Sequence, residues 1–139
     1  AVNEMRAFAE ALRIVDEEGA EARFERHRLI GRTMRAGLAA LGFGLFTAPA
    51  SLADTLSVVV YPAGVDDKAF RALLSENGVV VAGGLCPTAG RVFRMGHMGN
   101  ITSEDMLFVL EAVEKTLGAF LPGLKTGEAA RAAGLVPGK

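Results

Sequence analysis

One arginine, Arg94, has the sequence setting best suited to binding a ligand. It lies in the run Val92-Phe93-Arg94-Met95, which follows a loop rich in glycine and precedes two further glycines. Alternation along a strand places Arg94 on the face opposite Phe93 and Met95. A guanidinium on a rigid strand can form two parallel hydrogen bonds to a carboxylate or a phosphate. The pattern alone, however, favours a surface arginine paired with a structural acid.

The other side chains that could do chemistry lack the partners of a complete active site. Cys86 is the only cysteine, and a small buried loop residue is favoured over a reactive thiol. His97 could hydrogen-bond a ligand beside Arg94, but a structural role in a glycine-flanked turn is favoured. No lysine has the apolar setting that Schiff-base chemistry needs; the lysines are Lys68, Lys115, Lys125 and Lys139. We therefore expect no catalytic, cofactor-binding or metal-ligating residue in this chain.

Composition excludes several classes of protein. The 139 residues are 50% hydrophobic and carry a formal net charge of −1. They suffice for one packed core and create no field that would attract nucleic acid or an anionic membrane. A single cysteine is typical of a reducing, cytoplasmic location. Glycines and a proline interrupt the uncharged stretch 36–53, so it is interpreted as a helix end, a strand and a loop, not as a membrane span.

Periodicity and capping residues predict the elements that position Arg94. Apolar spacing predicts a helix that is already running near residue 1 and stops at Gly19, and a longer helix over 20–41. The basic face of the longer helix is interpreted as solvated or as packed on an acidic partner. Further helices are predicted to start at Asp66 and, with a capping box, at Thr102. Short strands are predicted at 43–46, 56–61, 79–82 and 92–95. Short strands with helices on one side make a two-layer α+β domain.

The end of the chain is predicted to contribute little to this domain. Pro122 and Gly123 end the last long helix, and residues 121–139 are interpreted as a tail. A short helix over 128–133 is predicted there, with little to bury. The domain itself is assigned to residues 1–120.

Several ordered segments resemble the class V aminotransferases, which are fold-type I enzymes that use pyridoxal phosphate. Val92-Phe93-Arg94-Met95-Gly96-His97-Met98-Gly99-Asn100 resembles part of their C-terminal region. The similar branch includes alanine–glyoxylate, serine–glyoxylate and serine–pyruvate aminotransferases. The resemblance covers about residues 1–120. Its other segments, in the right order, are 18–28, 38–43, 83–85 and 102–105.

The resemblance implies a fold and a role for Arg94. Residues 1–120 would form the C-terminal small domain of a fold-type I enzyme, with a short, mainly antiparallel sheet and a domain-linking helix near 1–18. Arg94 would bind the α-carboxylate of the substrate. The lysine and the phosphate-binding groups for pyridoxal phosphate would belong to a larger domain before Ala1, so this chain alone is expected to be inactive. The family is typically dimeric.

The expected function is therefore the substrate-carboxylate-binding part of a transaminase. It would move an amino group between a small amino acid of the alanine, serine or aspartate type and a 2-oxo acid such as glyoxylate or pyruvate. The expected partners are these substrates, the enzyme's own large domain and a second subunit, with no nucleic acid and no membrane. Two alternatives stay open: a non-catalytic α+β carboxylate-binding or dimerisation module, and a class V lyase that uses the same cofactor.

Overall fold

The computed structural model describes residues 1–136. Two helices joined at a glycine form its N-terminal part. Helix α1 spans Val2–Glu18 and helix α2 spans Ala20–Ala40. Gly19 between them has a φ of 79°, a conformation that glycine adopts without steric cost. The predicted interruption at this residue is confirmed. No helix within the described range has the length and apolar character needed to cross a bilayer.

One antiparallel sheet contains the strand that carries Arg94. Its order is β1-β2-β4-β3, and the strands are β1 Gly44–Leu45, β2 Leu56–Val60, β3 Ala82–Gly83 and β4 Val92–Gly96. Strand β4 therefore pairs on both sides, with Arg94 opposite Val58 of β2 and Ala82 of β3. Pairing on both sides makes β4 the more rigid support for a functional side chain.

Strand β3 begins later than the sequence predicts. The run 79–82 is apolar, but the Val79 N–H donates to the carbonyl of Leu74 at 3.0 Å. This bond closes the C-terminal turn of the preceding helix, α3, which spans Asp67–Glu76. Val79 therefore belongs to the end of helix α3, and the ladder with β4 contains Ala82 and Gly83.

The predicted helix starts are confirmed. The Asp66 carboxylate accepts the Ala69 N–H at 2.9 Å and caps α3. Helix α4 spans Ser103–Gly118 and begins with the expected capping box. In that box Thr102 Oγ1 accepts the Asp105 N–H at 3.1 Å, and Asp105 accepts the Thr102 N–H at 2.8 Å. Such reciprocal bonds satisfy amides that a helix end otherwise leaves without partners.

The core lies between the sheet and the helices. Val59 of β2 with Phe93 and Met95 of β4 forms its sheet side. Helices α2, α3 and α4 supply the opposite side, which includes Met34, Leu38, Phe70, Leu74, Leu110 and Val113. Strands β2 and β4 thus each turn one row of side chains towards the helices. The structure confirms a two-layer α+β fold with an antiparallel sheet.

Part of the segment predicted as a tail is buried, so the expectation that it has little to bury was wrong. Helix α5 spans Glu128–Ala132, and Ala129 and Ala130 are 1% and 4% exposed. A Cβ placed on Gly37 of α2 would lie 3.2 Å from the Ala129 carbonyl oxygen, so glycine permits the close approach of α5. The small side chains of α5 carry no periodic apolar signal that could predict this contact. Residues 137–139 lie outside the described range.

Candidate functional site

Arg94 leaves the sheet on the side that the helices do not cover. Its neighbours Phe93 and Met95 are buried in the core, whereas Arg94 is half-buried, as alternation predicts. Its Nε–H donates to the carbonyl oxygen of Gly83 at 3.0 Å. Within residues 1–136, no acid forms an ion pair with Arg94. The surface ion pair that the pattern alone favours is therefore not formed in this part of the chain.

The loop between β3 and β4 is held by its own hydrogen bonds. Thr88 Oγ1 accepts the Leu85 N–H at 3.1 Å and donates to the Leu85 carbonyl at 2.8 Å. A Cβ on Gly84 would overlap the Thr88 carbonyl, so the tight turn requires glycine there. Cys86 has a φ of 48° and is exposed. The expectation of a buried loop cysteine was wrong, because this turn leaves Cys86 on the surface.

His97 lies in the core layer rather than beside Arg94. It is 2% exposed, and its Nε2 lies 2.9 Å from Ser57 Oγ. Burial lowers the pKa of His97, and the positive charge of Arg35 lowers it further, because both disfavour a second cation in the interior. Its Nδ1 has no hydrogen-bond partner. A neutral, buried imidazole favours the structural interpretation of His97.

Helix α2 holds the loop that follows β4. The His27 Nδ1 lies 2.8 Å from the Arg23 carbonyl, and its Nε2 accepts the Gly99 N–H at 3.2 Å. These two bonds fit a neutral ring protonated on Nδ1. The Arg26 Nη1 donates to the Gly99 carbonyl at 2.6 Å. Helix α2 thereby fixes the loop through both the N–H and the carbonyl of Gly99.

The basic face of α2 is in part paired with an acid, since Arg23 and Arg26 both bind Glu18. For Arg35, however, the prediction of a solvated or acid-paired side chain was wrong. Arg35 is buried, and its Nη1 donates to the Ala53 carbonyl at 2.9 Å. Burial lowers the pKa of Arg35, an effect that the charge of Asp54 opposes. No helical spacing signal could reveal this role, because the partner carbonyl comes from a distant loop.

A buried carboxylate beneath the sheet edge was also missed. Asp67 Oδ1 accepts hydrogen bonds from the Tyr61 hydroxyl at 2.8 Å and from Arg71 Nε at 2.9 Å, while its Oδ2 accepts one from Arg71 Nη2 at 2.9 Å. The hydrogen bonds from Arg71 are the main cause that lowers the pKa of Asp67. Burial raises the pKa of Tyr61, and Asp67 raises it further. The spacing of four residues between Asp67 and Arg71 could have predicted this pair.

The lysines of the described chain do not form a cofactor pocket. Lys68, Lys115 and Lys125 are all exposed, whereas an amine that forms a Schiff base needs an enclosed, apolar setting. Lys139 lies outside the described range. Within residues 1–136, no group of three or more His, Cys, Asp or Glu side chains could hold a metal ion.

Several known aminotransferases are similar to this chain. No family model matches the chain. An uncharacterized aminotransferase of Methanocaldococcus jannaschii is 41% identical over 117 residues, which are 84% of this chain and 30% of that protein. The (S)-ureidoglycine–glyoxylate transaminase of Bacillus subtilis is 37% identical over 129 residues, which are 91% of this chain and 31% of that protein. The chain thus spans about a third of the length of these relatives.

The fold agrees with the sequence match. The crystal structure of ureidoglycine–glyoxylate aminotransferase from Bacillus subtilis matches with a TM-score of 0.83 and 36% identity. The match covers 89% of this chain and 33% of that one. The chain is therefore a homologue of the class V aminotransferases, and its fold is that of the C-terminal domain of these enzymes.

Proposed function

We propose that this chain is the substrate-carboxylate-binding part of a transaminase that depends on pyridoxal phosphate. The enzyme moves an amino group between a small amino acid and a 2-oxo acid such as glyoxylate or pyruvate. Several relatives are named for glyoxylate as a substrate, with alanine, serine or ureidoglycine as the second, which supports this substrate class.

The setting of Arg94 carries the proposal. The side chain comes from a strand paired on both sides, and the Gly83 carbonyl takes only its Nε–H. Its two Nη groups form no hydrogen bond within residues 1–136, so they can donate side by side to a carboxylate. Amino acids and 2-oxo acids share the α-carboxylate. One fixed guanidinium can therefore orient the substrates of both halves of a transamination.

Within residues 1–136, no lysine has the enclosed, apolar setting that a Schiff base with the cofactor needs. Aminotransferases of this type depend in general on pyridoxal phosphate, and the exposed lysines described above do not fit it. We propose that a larger domain of the same enzyme holds the cofactor and that the enzyme is a homodimer. In this proposal, residues 1–120 form the small domain, with a linking helix near 1–18, and residues 121–139 form its tail. A cytoplasmic location remains a prediction from cysteine usage.

The test is Arg94→Lys in the complete transaminase. Lysine keeps the positive charge but loses the two-pronged geometry, so we expect kcat/KM for the amino acid to fall at least about tenfold. Steady-state kinetics with amino donor and 2-oxo acid would measure it. Arg91→Lys is the matched control, because Arg91 is an exposed residue just before the same strand. An unchanged kcat/KM in Arg94→Lys would remove Arg94 from the site.

A further inference from the structure

Two arginines contact Gly83. Its carbonyl oxygen accepts the Arg94 Nε–H at 3.0 Å. A Cβ built on Gly83 would lie 3.2 Å from three atoms of the Arg71 guanidinium, namely Nε, Cζ and Nη2. The guanidinium of Arg71 therefore lies directly against the Gly83 backbone. Glycine is the residue that permits such an approach.

The guanidinium of Arg71 is itself held firmly. Its Nε and Nη2 each donate to a different oxygen of Asp67 at 2.9 Å. Two parallel hydrogen bonds fix the plane of a guanidinium as well as its position. Asp67 is buried and also accepts the hydroxyl of Tyr61 at 2.8 Å. The surface presented to Gly83 is thus planar and rigid.

Strand β3 needs such support. It has two residues, Ala82 and Gly83, and it pairs with β4 alone. A short strand at the edge of a sheet has few ladder hydrogen bonds to fix it. The peptide that contains the Gly83 carbonyl has one backbone anchor, the Gly84 N–H, which donates to the Val92 carbonyl at 2.9 Å. Arg71 is the side chain that packs against Gly83, so it acts together with this anchor to set the position of the Gly83 carbonyl.

We propose that Arg71 is a positioning residue for substrate binding. Arg71, fixed by Asp67, supports the Gly83 backbone, and the Gly83 carbonyl then sets the direction of the Arg94 guanidinium. Arg71 touches no substrate. The inference rests on the proposed function, because it requires that Arg94 binds the substrate carboxylate.

The first experiment is steady-state kinetics on Arg71→Met and Arg71→Lys in the complete transaminase. We expect Arg71→Met to raise KM for the amino acid and for the 2-oxo acid about fivefold, with a smaller change in kcat, because a misdirected Arg94 weakens the shared carboxylate contact. Arg71→Lys should have a smaller effect, since it keeps one charged bond to Asp67.

Arg131→Met is the matched control. Arg131 also lies against a glycine, with its Nη1 3.2 Å from a Cβ built on Gly127, and it pairs with Glu128 at 2.9 Å. It lies on α5, outside the sheet. We expect its substitution to leave both KM values unchanged. If KM rises equally in Arg71→Met and Arg131→Met, the loss of any arginine contact on a helix explains the effect. That result would overturn the inference.

The decisive measurement combines Arg71→Met with Arg94→Lys. If Arg71 acts through Arg94, the double variant should have the KM of Arg94→Lys within about twofold, because residues that act as a unit are not additive. An undiminished effect of Arg71→Met in the Arg94→Lys background, or no effect of Arg71→Met alone, would overturn the positioning role. An unchanged kcat/KM in Arg94→Lys alone would instead overturn the proposed function. If Arg71→Met does not fold, Arg71→Lys is combined with Arg94→Lys instead, and the same outcomes decide.

Discussion

Arg94 and His97 lie three residues apart, and the pleat of the strand assigns them to different layers. Arg94 leaves the uncovered face of the sheet, and within residues 1–136 both of its Nη groups lack a hydrogen bond. His97 follows Met95 into the core layer and is 2% exposed. Burial without a charged partner favours a neutral imidazole, and it places His97 on the opposite side of the sheet from Arg94.

We expect the stability of the protein to fall as the pH drops below about 6.5, the ordinary pKa of histidine. Burial holds the pKa of His97 below that value in the folded state, so the unfolded chain takes up the proton first. The stability given by neutral His97 is complete above the unfolded pKa and is lost as the pH falls towards the folded pKa. Urea unfolding of wild type and His97→Gln at about pH 7.5 and about pH 5.5 would measure it. Equal pH dependence in the two proteins would contradict the expectation.

At the scale of elements, one carboxylate attaches α5 to the domain. Glu114 of α4 accepts the N–H groups of Gly127 at 2.6 Å, Glu128 at 3.0 Å and Ala129 at 3.3 Å. These are the amides that the start of a short helix leaves unsatisfied. Glu114 thus does for α5 what a capping residue does for a longer helix.

We expect Glu114→Ala to release α5. The loss of charge-assisted bonds to three amides should cost about 1–3 kcal/mol and speed hydrogen exchange over residues 127–135. Exchange in β2 and β4 should stay slow. Glu111→Ala is the control, because Glu111 is exposed on the same helix. Equal exchange over 127–135 in both variants would show that Glu114 does not hold α5.

Local signals explain why most elements could be predicted. The caps at Asp66 and Thr102, and the alternation around Arg94, depend on neighbours within a few residues. The contact of Arg94 with Gly83 spans 11 residues, and that of Arg26 with Gly99 spans 73. Such pairings are set by how elements pack, so no spacing rule could predict them. For the candidate site, the sequence therefore predicted the strand and the face of Arg94 but not its contact with Gly83. Its role in substrate binding stays a prediction.

For the molecule as a whole, the unpartnered face of α1 is the main surface feature. Val2, Met5, Phe8 and Leu12 recur at helical spacing and are 66%, 71%, 66% and 51% exposed. No residue of α1 is buried in the described chain. A contiguous apolar stripe of this kind favours association in water.

We expect the isolated 139-residue chain to self-associate through this stripe. Phe8→Glu should shift the chain towards monomer, because it places a charge among the apolar side chains. Sedimentation velocity at several protein concentrations would measure the change. Asn3→Glu is the control, since it adds the same charge on the other side of α1. An equal shift in both variants would assign the effect to net charge rather than to the stripe.

The junction at Gly19 is braced across its bend. Glu18, the last residue of α1, accepts Arg26 Nε at 2.5 Å and Arg23 Nη1 at 2.9 Å, and Arg26 is the main cause that lowers the pKa of Glu18 to about 2. Arg26 in turn holds the Gly99 carbonyl, just beyond the strand that carries Arg94. The angle between α1 and α2 is therefore fixed by charged hydrogen bonds as well as by the backbone at Gly19. Arg26 connects the end of α1 to the loop that follows the Arg94 strand.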